Sequence, residues 1–179
     1  GAGGDFAALR GHSMTDGAPS DDRRSQPVSG GTPTELDWAI RTAIYQNFAT
    51  TGAAPSYAVL AEQFERTLDQ VSESITRLLT AHEIAPFADG TGVFMANPFS
   101  AVATDYAVET AGVTVFANCA WDALGVPAIL GTDGWIRTHC AERATPLEFG
   151  IRDGALTGDE GVIHMVVPIR DAWVDIGFT

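Results

Sequence analysis

The sequence predicts an α+β fold, helical in its first half and mainly antiparallel sheet in its second. Two changes of pattern carry this reading. Between residues 36 and 79 the apolar residues recur at three- and four-residue spacing, as they do on one face of a helix. Beyond residue 104 they come instead in short runs and alternations bounded by Gly, Pro and Asp, as in strands. Within 179 residues this allows one good-sized domain or two small ones.

Residues 1–31 are rich in Gly, Ser, Asp and Pro and are expected to be disordered. Gly11-His-Ser-Met14 resembles a cloning remnant, which makes Met14 the expected native start. Leu36, Ile40, Ile44 and Phe48 then mark a first helix, with Thr34 and Asp37 three residues apart as a capping pair. This helix is expected to stop before Thr51-Gly52. Residues 57–64 form a short second helix, and Leu68, Val71, Ile75, Leu78 and Leu79 mark a third, capped by Thr67. Residues 84–95, with Asp89-Gly90 at the bend, read as a hairpin. Three helices and a hairpin amount to a winged helix-turn-helix-like unit over residues 32–97.

Such a unit suggests DNA binding through its third helix. Its candidate reading face, Asp69, Gln70, Glu73 and Arg77, is net acidic, and the chain carries a formal charge of -13 with ten Arg and no Lys. Binding a phosphate backbone requires cations that displace counterions. A packing role is therefore expected, with no nucleic-acid partner. No apolar run nears the roughly 18 residues of a membrane span, and no signal-peptide layout is present, so a cytoplasmic protein is expected. Two cysteines make no disulfide framework and are read as thiols.

Asn97-Pro98 is expected at the boundary to a second domain, residues 98–179. Residues 104–109 and 113–117 read as strands joined at Ala111-Gly112. Asn118 is the expected N-cap of a helix that begins at Cys119 and breaks at Gly125 and Pro127. Residues 135–140, 147–151 and 162–167 read as further strands, the last two separated by a Gly- and Asp-rich loop over 153–161. Residues 170–176 read as a short final helix.

The chemistry concentrates between Gly112 and Cys140, which hold both cysteines and two of the four tryptophans. Cys119 and Asp122 are three residues apart, so on a helix they share a face. A cysteine in the first turn feels the positive end of the helix dipole, which favours thiolate. A carboxyl group in apolar surroundings, for which Trp121, Leu124 and Ile129 are candidates, holds its proton to higher pH. The pattern thus offers a soft nucleophile or metal ligand beside a proton donor. Cys140 is expected as core, His139 and His164 as core or surface histidines, His82 as a solvated helix-end cation, and Trp38, Trp135 and Trp173 as core or domain-contact residues. Arg170 and Asp171 are expected as the solvated start of the final helix.

The string FANCAWDALGVPAILG, followed by THC, resembles the catalytic segment of the organomercurial (alkylmercury) lyases, and Asn97-Pro-Phe-Ser100 resembles actinobacterial members of that family. The resemblance extends from about Pro33 to the end. It implies protonolysis of carbon–mercury bonds, releasing a hydrocarbon and Hg(II), with Cys119 as the mercury-binding thiolate and Asp122 as the proton shuttle. It implies small organomercurial substrates, cellular thiols as acceptors of the metal, and no organic cofactor. It makes the cysteine matching Cys140 structural. The family also uses a second mercury-binding cysteine far along the chain, expected at or within a residue of where Ile176-Gly-Phe-Thr179 ends. The alternative is a lyase scaffold put to another substrate or to non-catalytic thiol or metal binding.

Overall fold

A computed structural model describes residues 31–165, 167–174 and 176. The tail expected over 1–31 lies outside them, apart from Gly31. Three helices come first: α1 (Glu35–Thr51), α2 (Tyr57–Gln63) and α3 (Leu68–Thr80). Thr34 and Asp37 close a full capping box at the start of α1, and Thr67 with Gln70 closes another at α3. At the end of α1, Gly52 takes the left-handed conformation (φ 78°) and returns its N–H to the Phe48 carbonyl. A side chain there would strike the Thr114 carbonyl of the sheet.

The rest forms one eight-stranded antiparallel sheet. Its strands are β1 (Ala85–Pro86), β2 (Val93–Ala96), β3 (Phe99–Ser100), β4 (Ala107–Thr110), β5 (Val113–Ala117), β6 (Gly134–His139), β7 (Pro146–Arg152) and β8 (Ala155–Gly158). Their spatial order is β1-β2-β3-β5-β4-β6-β7-β8. The hairpin expected over 84–95 is present as β1 and β2, at one edge of that sheet. Asn97-Pro98, joined by a cis peptide bond, makes the two-residue turn between β2 and β3. A helix α4 (Ala120–Leu130) connects β5 to β6 and packs on β4, β5 and β6.

A single apolar cluster runs from the helices into the sheet. Ile40, Ile44 and Phe48 of α1 meet Val71, Ile75 and Leu78 of α3, and the cluster continues through Phe99, Val108, Val115 and Ile136 to Ala123 and Val126 of α4. Phe48 stacks on Phe99 at 5.1 Å. Beneath α1 lies a buried charge: the Asp37 carboxylate takes Arg77 Nε at 2.7 Å and Nη2 at 2.9 Å. Arg77, expected on a DNA-reading face, is thus committed to the interior.

Several expectations need correction. Cys119 itself, not Asn118, is the N-cap of α4. That helix does not break at Gly125 and Pro127 but runs to Leu130, with the buried Pro127 ring packed against Gly134 of β6, where a side chain would collide with it. The strand expected over 162–167 is absent among its described residues, and Val162 is 94% exposed. The sheet's edge is β8 instead, inside the expected loop, because Asp153 (φ 51°) and Gly154 (φ 75°) make a tight hairpin turn after β7. Trp38 is 43% exposed rather than core. The final helix is a 3-10 helix (Ile169–Val174), on which Trp173 stacks against His82 at 4.5 Å.

Candidate functional site

The end of β5 is pinned before it turns into α4. Thr104 donates its hydroxyl to the Ala117 carbonyl at 2.6 Å, and the Ala117 N–H donates to the Tyr106 carbonyl at 3.0 Å. The next two residues, Asn118 and Cys119, therefore leave the sheet from a fixed point. Cys119 is extended (φ -152°, ψ 178°) and its carbonyl accepts the first helical bond, from Ala123 N–H, at 2.9 Å. Its sulfur stands where a Ser or Thr oxygen stands in an ordinary cap, accepting the Asp122 N–H at 3.5 Å.

Asp122 occupies the third position of the helix, so its side chain points back along the axis toward the cap. The thiol and the carboxyl group lie close enough for each to shift the ionisation of the other. Asn118 Nδ2 donates to Asp122 Oδ2 at 3.2 Å and to Asn97 Oδ1 at 2.9 Å. The sequence pairing of Cys119 with Asp122 is thus realised as one contact in the first turn of α4. Cys140 lies elsewhere: it is half-buried past the end of β6, bonded through its backbone to Thr145 and Ala144.

The electrostatics differ from the dipole expectation. Burial pushes the Cys119 thiol up, and the charge and hydrogen bond of Asp122 add to this, outweighing the help of the Asp122 and Trp121 N–H groups. The resting group is therefore held toward the thiol, not the thiolate. Burial also raises Asp122, although the hydrogen bonds from Asn118 and Cys119 oppose it. Its cover does not come from Trp121 or Ile129, which are 62% and 51% exposed. The neighbours come from elsewhere. Pro98 approaches the open side of Gly125 on α4. The Tyr45 phenol, raised chiefly by burial and further by Glu83 and Asp122, and the Tyr106 phenol, raised by burial and by Cys119, stand close by.

Four residues escaped sequence reasoning as parts of this site: Tyr45, Asn97, Tyr106 and, in its actual role, Asn118. Tyr45 lies 74 positions before Cys119 on the first helix. No local pattern announces that contact. Asn118 carried a signal, its place beside the cysteine, but its type suggested a cap. Chemically, the site can capture a soft electrophile on sulfur and receive the displaced proton on a carboxylate in the same helical turn.

Residues 99–178 match the alkylmercury lyase family model. An alkylmercury lyase of Streptomyces lividans is 26% identical over 153 residues, covering 83% of this chain and 67% of that one. The crystal structure of the mercury-bound form of MerB2 is similar at a TM-score of 0.58 and 25% identity, over 69% of this chain and 59% of that one. This chain therefore spans less than two thirds of that solved chain. Over residues 99–178 the chain is thus similar to the organomercurial lyase family.

Proposed function

We propose that this protein is an organomercurial lyase, cleaving R–Hg⁺ to RH and Hg(II) with Cys119 as mercury ligand and Asp122 as proton carrier. The observation that carries the reading is the placing of the Cys119 sulfur, which accepts the Asp122 N–H at 3.5 Å, and the Asp122 carboxyl group in one turn at the start of α4. An S–H held up by burial cannot bind mercury until its proton leaves, and Asp122 is the neighbouring carboxylate that can take it. The S–Hg bond forms as the S–H bond breaks. The proton then passes from the Asp122 carboxyl group to the carbon as the C–Hg bond breaks, its electron pair staying with carbon. Hydrocarbon departs, and Hg(II) remains on sulfur until cellular thiols remove it. Softness explains why sulfur leads: Hg(II) prefers thiolate to nitrogen or oxygen donors. No organic cofactor takes part in this scheme.

The test is benzene release from phenylmercuric acetate in excess thiol. Cys119→Ser should abolish turnover, and Asp122→Asn should lower it by about a hundredfold or more, since it removes the proton carrier. Hg(II) binding through Cys119 without any benzene release would favour the alternative of a scaffold turned to thiol or metal binding.

A further inference from the structure

The Asp122 carboxyl group is one end of a polar chain that begins at Glu83, just past α3. Glu83 holds Arg41 Nε at 2.9 Å. Arg41 Nη2 donates to the Tyr45 hydroxyl at 3.1 Å, and that hydroxyl donates to the Asn97 carbonyl at 2.6 Å. The Asn97 side chain in turn accepts from Asn118, whose second amide proton goes to Asp122. We propose that Asn118, held by Asn97 and through it by Tyr45, is a positioning residue that aims the Asp122 carboxyl group at the Cys119 sulfur.

Three features separate this from a purely structural amide. Capping is not its task, because Cys119 caps α4. Both atoms facing Asn118 Nδ2 are oxygens, so the amide must present its two N–H groups to them and its plane is fixed. Its own Oδ1 is meanwhile buried and without a partner among the described residues. An amide placed only for the fold would be expected to satisfy both ends. Here the orientation serves the N–H side, at the expense of the carbonyl.

The consequence is a role for the helical half of the chain. The sequence assigned it to packing. Through Tyr45, α1 fixes the backbone of the β2–β3 turn, that turn fixes Asn118, and Asn118 limits the rotation of Asp122. Support of this indirect kind holds reacting groups within the small tolerances that proton transfer demands.

The inference rests on the lyase reading, and the experiment separates the two. Benzene release and phenylmercury capture are measured for the parent, Asn118→Ala, Tyr45→Phe, Asp122→Asn and the double variant Asn118→Ala/Asp122→Asn. Asn118→Ala should leave KM within about twofold while kcat falls roughly ten- to a hundredfold, the scale of a misplaced reacting group. Tyr45→Phe should lower kcat in the same sense by a smaller factor. In the Asp122→Asn background the Asn118 change should cost nothing further, because its partner is gone. An unchanged kcat in Asn118→Ala, or an equal loss with and without Asp122, overturns the proposal while the lyase reading stands. Should Asn118→Ala fail to fold, an unchanged kcat in Tyr45→Phe overturns it equally. A parent that releases no benzene removes both.

Discussion

Replacing Arg77 by Ala should destabilise the protein strongly at neutral pH and much less in mild acid. The Asp37 side chain is wholly buried, while Arg77 keeps a quarter of its side chain in water. Burial alone would raise the Asp37 carboxyl group, but the bonds from Arg77, Thr34 and Ser74 together reverse this and hold it well below the usual carboxylate range. The stability this lends is therefore fully present above the unfolded value near 3.9 and is lost as pH falls through the lower folded value. Arg77→Ala deletes two charge-assisted bonds and leaves the Thr34 N–H as the 2.7 Å donor. Breaking a buried pair in this way costs about 3–5 kcal/mol, and the exposed part of Arg77 favours the lower end. For a domain of this size about 3 kcal/mol corresponds to roughly 6–12 °C in Tm. With the guanidinium gone, burial is opposed only by the bonds from Thr34 and Ser74, so Asp37 is held higher than in the parent. Its protonated form is then the better tolerated one, so the penalty shrinks as pH falls toward 4. Thermal and urea unfolding followed by circular dichroism at pH 7 and pH 4.5 would measure both effects. A loss below about 1 kcal/mol at pH 7, or an equal loss at both pH values, refutes the reasoning, since only an uncompensated buried charge gives that size and that pH dependence.

Two further outcomes follow from the site and the sheet. Iodoacetamide labelling of Cys119, read by peptide mass, should have its midpoint above the ordinary thiol value of 9.0, and Asp122→Asn should move that midpoint down by removing a neighbouring negative charge; a midpoint below neutral would contradict the placement. Gly150→Ala should destabilise by about 2–3 kcal/mol, because a methyl group there collides with the Gly134 carbonyl and lies 3.0 Å from Trp135 Cα, both backbone atoms that no rotamer change can move.

The residues that form local structure were legible in the chain. Thr34 with Asp37 and the four-residue apolar rhythm gave α1, and Asp89-Gly90 gave the bend between β1 and β2. The spacing of Cys119 and Asp122 put them in one helical turn. Each of these depends on neighbours within four or five positions, where backbone geometry alone fixes who can meet whom. Even here a local signal was missed: Asp153-Gly154 carried the hairpin signature, yet the apolar run over 162–167 drew the strand assignment away from β8.

What needed the tertiary structure was partnership across the chain. The sequence offered an apolar run at 162–167, but its described residues do not join the sheet, whose last strand is β8. Pro127 looked like a breaker, yet α4 runs past it and packs its ring on Gly134, seven residues on. Asp37 read as a capping residue, and only the fold supplied Arg77, 40 positions away, to neutralise it. At the site, the sequence determined the proposed reacting pair, because the pitch of one helix sets thiol and acid together. The tertiary structure decided their protonation and aim, because burial, the turn at Asn97 and the Tyr45 hydroxyl are brought to Asp122 by packing and not by proximity in the chain.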